Sequence, residues 1–541
     1  MPLFSTLCPS LHTILLSTSS AALASLLTYI YFNPPSSLPT FRFKILLWDT
    51  SLTPTNKPTF TLTRNVSPWG TGPETQITHH ILLPSEECEA KLARNQASHE
   101  VRRKGNPVVR VETNSLAAND KCEDEMSIDL LTSSDLPHLR KGEEGKGFWE
   151  YWGKLRNKLS IGLVANEGDE KEKSDGSEDM MLLSVLDGHG GGQTSSLLRK
   201  VLHGTICWGL GGLREWTNQG VYQRIIDVYK ALDTDICRSG LSIAQAPCPD
   251  CAEDKVLPTP NPSLLSLIPN AGSTACTALL DIKNERLYLI NIGDARAVPG
   301  WYNEREGKWR VDTLSQDQEC GNPDEVERLK ANHFDQENVV LDEGFTPRLL
   351  GNMQPSRAFG DDGLKLTKSE KESIELAGQV KFVADESPFT KKTVPYIDPP
   401  YMDAEPEIVI RKLRENQDEK LKFLVIATDG LWDKISSEEA ILLLSAHYTH
   451  PKHAPIPKTK LPSLFPQFEP DTLRPRSYPA EDLPGTTADN SKGCWLFEDD
   501  NAATHLVRNG LDGDGDKKVQ EMILSLSGNG TRSVRDDTSV M

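Results

Sequence analysis

The sequence predicts a mixed fold of strands and helices over residues 106–541, and three observations carry that prediction. The runs MLLSVL (181–186) and FLVIATDG (423–430) are apolar, too short for core helices, and closed by Asp-Gly. TACTALLDIKNERLYLINIGDARAV (274–298) reads as two apolar strands about a Lys-Asn-Glu turn. QGVYQRIIDVYKALDTDI (219–236) places Val221, Ile225, Val228, Leu232 and Ile236 on one helical face.

The other elements follow in order. Residues 11–32, LHTILLSTSSAALASLLTYIYF, carry no Lys, Arg, Asp or Glu and are long enough to span a bilayer. The first basic residues are Arg42 and Lys44, so the stretch reads either as a membrane anchor or as an atypical transit peptide without Arg. Residues 33–75 are rich in Pro, Thr and Ser and read as a tether, and 76–105 read as mostly helical and polar. GNPVVRVETN (105–114) alternates like a strand.

Residues 139–180 combine the aromatic patch GFWEYWGKL (147–155), a docking or core stripe, with the acidic loop NEGDEKEKSDGSED. SSLLRKVLHGTI (195–206) is a helix. Residues 241–271 form a Pro-rich loop, DEVERLKAN (324–332) a short helix, and SSEEAILLLSAHY (436–448) a helix capped by Ser436 or Ser437 with the glutamates. Residues 449–495 hold many prolines and read as an insertion, before helices at NAATHLVRNGL (501–511) and KKVQEMILSL (517–526). LDGDGDKKVQE (511–521) resembles the start of a calcium loop, but Lys517 and Ile523 fall where the turn glycine and the closing acid belong, so it reads as an acidic turn before a helix.

Three segments result. Residues 1–45 are an anchor or targeting segment, 46–105 a linker and helical extension, and 106–541 the main unit, with insertions near 139–180, 241–271, 365–400 and 449–495. No internal repeat is visible.

Composition narrows the chemistry. Asp and Glu number 78 against 59 Lys and Arg, a net charge of −19, and such a surface repels phosphate backbones and argues against nucleic-acid binding. The ten cysteines are scattered too thinly for a disulfide scaffold. Cys248 and Cys251 have zinc-type spacing, but only Cys237 is near them, so a loop with two thiols is the plainer reading.

The informative pattern is carboxylates at strand ends. Asp187 and Asp429 each end an apolar strand before a glycine, and Asp294 follows LYLINIG in the same manner. Asp536 and Asp537 precede a β-type segment, and Asp124 follows one after a short connector. A single Asp-Gly after a strand is ordinary turn chemistry. Recurrence suggests convergence, because parallel-lying strands bring their ends to one point, and an all-oxygen donor set favours Mg²⁺ or Mn²⁺ over zinc.

SVLDGHGG, NAGSTACTALL, YLINIGDARAV, MQPSRAFGD, FLVIATDGLWD and RDDTSV occur in the order seen in the metal-dependent Ser/Thr protein phosphatases (protein phosphatase type 2C), and the chain resembles that family over about residues 106–541. PPYMDAEPEI (399–408), NAATHLVRNGL and AANDKCEDEMS (117–127) are similar to its mitochondrial branch, which acts on the pyruvate dehydrogenase complex. The resemblance implies an α+β fold: two packed antiparallel β-sheets flanked by helices, with a metal site at one end of the sandwich. It implies two Mg²⁺ or Mn²⁺ ions and a weaker third. Asp187 would bridge the two ions and the Gly188 carbonyl would bind one; Asp124, with Glu123 beside it, would ligate directly or through water. Asp429 and Asp536 would complete the coordination of the second ion, and Asp294 and Asp433 would hold the third. His189 matches the general acid for the leaving alkoxide.

The implied activity is hydrolysis of phosphoserine or phosphothreonine by a metal-activated water, on a phosphoprotein of the pyruvate dehydrogenase complex, in the mitochondrial matrix or at the inner membrane. Two alternatives stand beside it: a catalytically impaired phosphatase fold acting as a binding module, and an active phosphatase on another intracellular membrane with a cytosolic catalytic domain. Asn119 stands where many members carry a phosphate-holding Arg, which leaves the phosphate-binding residue unassigned. The chain ends right after RDDTSV, where members usually continue the strand, so an open sheet edge is expected. Arg357 matches a structural arginine, and His505 reads as a packing residue.

Overall fold

The computed structural model describes residues 58–66, 74–118, 121–136, 175–244, 267–341, 347–376, 394–414, 418–450, 452, 454–464, 493–511, 515–527, 531 and 534–541. The apolar stretch 11–32, Asn119, the aromatic patch 147–155 and the cysteines at 248 and 251 lie outside them. Among the described residues no helix is long and apolar enough to cross a membrane.

The strands of the body are, in chain order, β1 (Ala97–Glu100), β2 (Arg110–Leu116), β3 (Glu125–Thr132), β4 (Asp179–Leu186), β5 (Gly188–His189), β6 (Gly272–Ser273) and β7 (Ala275–Asp281). They continue with β8 (Arg286–Ile292), β9 (Arg296–Asn303), β10 (Lys308–Val311), β11 (Phe359–Gly360), β12 (Glu407–Lys412), β13 (Glu419–Ala427) and β14 (Thr538–Val540). The helices that cover them are α1 (Ser85–Leu92), α2 (Gln193–Leu210), α3 (Asn218–Ala244), α4 (Ser437–His447), α5 (Ala502–Gly510) and α6 (Lys517–Ser525).

One sheet has the order β12-β8-β7-β4-β3 and the other β10-β9-β13-β14-β2-β1, with antiparallel pairing throughout. Period-two alternation explains how they stack. In β4, Met181, Leu183 and Val185 face a core shared with Ala297, Ile426 and Val111 of the other sheet. Met180, Leu182 and Leu186 face the opposite way, onto Leu198, Leu202 and Ile206 of α2 and Val221 and Ile225 of α3. Likewise Val298, Val425 and Ala427 turn outward to Leu443 of α4 and Leu506 of α5. The result is a helix–sheet–sheet–helix stack, as the resemblance implies.

Local signals hold where they were strong. Ser436 caps α4 in a reciprocal capping box with Glu439. Asp516 caps α6 and accepts from Lys518 N, so the acidic turn is a helix start. Arg357 is structural: its Nη2 lies 2.5 Å from Glu325 Oε1, and its Nη1 donates to Glu405 O at 2.8 Å.

Two expectations need correction. Residues 76–105 are not mostly helical and 33–75 are not all tether: Thr59–Val66 and Glu74–Ile81 pair as an antiparallel hairpin, and only Ser85–Leu92 is helical. The β-branched Thr75, Ile77, Thr78 and Ile81 favour the strand despite the polar composition. The expected open edge is also not where it was placed. β14 lies inside its sheet: Thr538, Ser539 and Val540 pair with Leu116, Ser115 and Asn114, Val540 pairs with Ala427, and Met541 exchanges backbone hydrogen bonds with Ile426.

Candidate metal centre

The site forms where strands of both sheets end. After β4 the chain delivers Asp187, whose carbonyl accepts from Thr274 N at 2.9 Å. A Cβ at Gly188 would collide with the carbonyl of Glu123, so only glycine lets the 121–124 segment pass this close. After β8, Gly293 adopts φ +93° and turns the chain to Asp294. After β13, Thr428 is extended, and Asp429 opens the short helix Asp429–Trp432.

Asp187, Asp294 and Asp429 each present a carboxylate oxygen within 4.8 Å of the others. Asp124 is buried beside them, and its Oδ2 accepts from Thr428 Oγ1 at 3.0 Å. Asp433 follows on the same short helix turn, its N–H bonded to Asp429 O at 2.8 Å. Asp536 accepts from Asp537 N. Asp124 and Asp433 thus lie beside the trio without belonging to its mutual contact, while the contact seen for Asp536 is local.

The electrostatics show a site short of positive charge. Burial first, then Asp537 and Asp429, pushes Asp124 well above the usual carboxylate range. Burial and Asp429 do the same to Asp294, and they raise Asp433 to about 8. Asp124 Oδ1 and Asp429 Oδ1 are buried and receive no hydrogen bond among the described residues. Buried carboxylate oxygens without donors are costly unless a cation meets them, and oxygen-only donors suit a hard divalent ion.

Three residues of the site receive no role from sequence reasoning. Asp537 ties Ala118 to Glu123, its carboxylate accepting from Ala118 N at 2.5 Å and Glu123 N at 2.7 Å. Nothing in RDDTSV distinguishes it from Asp536. Thr428 is the second, since no pattern marks its hydroxyl. Asp361 is the third; its Oδ2 lies 2.7 Å from His189 Nε2. A signal for it existed, because Gly360-Asp361 repeats the Gly-Asp pattern of Gly293-Asp294.

A second constellation imitates a nucleophilic triad. Ser184 Oγ lies 2.7 Å from His203 Nε2, and His203 Nδ1 lies 2.7 Å from Asp129 Oδ2. All three are buried between sheet and helix, so they tie α2 to β3 and β4 and meet no substrate.

Comparison with known proteins agrees with this geometry. The family model of protein phosphatase 2C matches residues 243–455. A mitochondrial protein of Homo sapiens, "[Pyruvate dehydrogenase [acetyl-transferring]]-phosphatase 2", is 30% identical over 85% of this chain and 83% of its own length. The Saccharomyces cerevisiae "[Pyruvate dehydrogenase [acetyl-transferring]]-phosphatase 1, mitochondrial" is 28% identical over 98% of this chain and 85% of its own. The Bos taurus protein of that name is 32% identical, the match covering 60% of this chain and 55% of the bovine one, so this chain matches about half of that relative's length.

Proposed function

The chain belongs to the protein phosphatase 2C family of serine/threonine protein phosphatases, and on that premise we propose that it removes phosphate from serine on the pyruvate dehydrogenase complex in mitochondria. The convergence of Asp187, Asp294 and Asp429 carries the chemical part of the reading. The printed names of the relatives support the substrate and the compartment.

The donor set fits a divalent ion: all-oxygen, buried, and with orphaned oxygens on Asp124 and Asp429. In this reading Asp187, the Gly188 carbonyl, Asp124, Asp429 and Asp536 hold two Mg²⁺ or Mn²⁺ ions, and Asp294 and Asp433 a third. Such ions, when bound, neutralise the phosphoryl oxygens and lower the pKa of water. The chain's own residues do the rest. The carboxylates give the acidic protein a local site for cations and thereby for a dianionic substrate. Gly188 lets the 121–124 segment close on the site. His189 hands a proton to the departing seryl or threonyl oxygen, a step worth roughly 10²–10⁴-fold. The placement of Thr538–Val540, the end of RDDTSV, in a central strand supports an active enzyme over an impaired binding module. The catalytic unit in this reading is residues 106–541.

The test is phosphate release from phosphorylated pyruvate dehydrogenase complex by the full chain, with Mn²⁺, Mg²⁺ or EDTA. Metal-dependent release that exceeds release from an unrelated phosphoprotein supports the proposal. Equal turnover of both substrates removes the substrate assignment, and no turnover with any metal removes the activity. A reporter fused to residues 1–45 that stays outside mitochondria would remove the compartment.

A further inference from the structure

Three short strands far apart in sequence meet beside the carboxylates. β6 pairs with β5 on one side and β11 on the other, so Gly272 stands opposite both His189 and Gly360. The next residue, Asp361, thereby reaches His189 from 172 positions away, Oδ2 to Nε2 at 2.7 Å, with both side chains at most one-tenth exposed.

The contact is built. Asp361 takes a left-handed backbone, φ +51° and ψ +46°, which aspartate visits more readily than most non-glycine residues but which its surroundings must still hold. Those surroundings are present. Gly360 N donates to Asp233 Oδ1 at 2.9 Å, and Lys365 Nζ bonds both oxygens of Asp233 and the Ala358 carbonyl. A Cβ at Gly272 would overlap both His189 Nε2 and Asp361 Oδ2, so the pair also requires glycine beneath it.

We propose that Asp361 is the positioning residue for His189. A carboxylate that accepts from one ring nitrogen fixes the tautomer and the ring orientation. With Nε2–H held on Asp361, the doubly protonated ring presents its second proton, on Nδ1, to the leaving group. The P–O bond to the seryl oxygen breaks, its electron pair stays on that oxygen, and the Nδ1 proton joins it. The hydroxyl of water joins phosphorus, and the proton that water sheds restores His189 through solvent. This inference rests on the phosphatase reading above.

The test compares the full chain, Asp361→Asn and Gly272→Ala with Mn²⁺ on two substrates. One is a phosphoserine peptide, whose alkoxide needs a proton to leave. The other is p-nitrophenyl phosphate, whose phenolate does not. Asp361→Asn is expected to lower kcat on the peptide by about 10²-fold and on the aryl ester by a small fraction of that. Gly272→Ala, which wedges the pair apart, follows the same ratio. An equal loss on both substrates with the melting transition intact makes the contact a mere cross-link and overturns the inference, as does undiminished peptide turnover. Should Asp361→Asn lose its melting transition, the ratio for Gly272→Ala decides. Absence of turnover by the unsubstituted chain on both substrates overturns the phosphatase reading itself, a different failure.

Discussion

Thr428 donates its hydroxyl to Asp124 at 3.0 Å and accepts from Ser539 N at 3.0 Å, so one side chain joins the end of β13 and the middle of β14 to a carboxylate 304 residues earlier. All three residues are buried. Thr428→Val keeps the shape and removes the hydroxyl. It leaves the Ser539 N–H without that acceptor, which costs about 1–3 kcal/mol in denaturant unfolding. It also frees Asp124 to turn, and the Mn²⁺ concentration for half-maximal activity is expected to rise about 10-fold or more. An unchanged metal requirement would mean that Asp124 is held by other contacts.

Crowded carboxylates make metal removal readable without turnover. Asp187, Asp294 and Asp429 repel one another in EDTA, and Mn²⁺ relieves this. Mn²⁺ at a hundredfold excess over Kd should stabilise the chain by about 3 kcal/mol. Asp187→Asn should melt higher than the parent in EDTA and lose most of the Mn²⁺ response. Calorimetry that shows the same response in both would exclude Asp187 from the metal site.

Glu325 links stability to acid. Burial alone would raise its pKa, but Arg357 and Arg328 outweigh burial and hold it at about 2, against 4.5 for a free group. The unfolded chain therefore binds the proton more tightly. The pair's contribution is complete above pH 4.5 and is lost as pH falls from 4.5 toward 2. Glu325→Gln should cost roughly 3 kcal/mol at neutral pH, and its deficit should shrink as pH approaches 3. A deficit constant across that range would deny the linkage.

His505 works at milder pH. Burial first, then His447, holds its pKa well below 6.5. Its ring lies between those of His447 and Phe497, at 4.7 and 4.9 Å, with Asn509 Nδ2 3.3 Å from Nδ1. The unfolded chain takes up a proton that the folded chain resists, so stability falls as pH drops below 6.5. His505→Phe should reduce the loss between pH 7.5 and 5.5 in urea unfolding. An equal loss in both proteins would assign the slope to other groups.

The strand-end carboxylates were legible because apolar runs closed by Asp-Gly are short-range patterns. Asp187, Asp294 and Asp429 could be named from the sequence, and they do converge. The hairpin at Thr59–Ile81 was not legible, because Ile77 and Ile81 share a helical spacing and the neighbours are polar, so period and composition both pointed away from a strand. Asp537 was hidden for another reason. It and Asp536 differ only in which way the chain turns before β14, and that depends on pairing with β2, more than 400 residues away.

The sequence by itself determined the elements around the site: the apolar runs that become its strands, which face of each is apolar, and which of them end on a carboxylate. These depend on neighbours within a few residues. The tertiary structure alone decided partnership: that Asp361 meets His189, that Thr428 holds Asp124, that Asp537 accepts from both Ala118 and Glu123. Such contacts arise when strands distant in sequence pair in register, since a one-residue slip would turn each of these side chains to the opposite face.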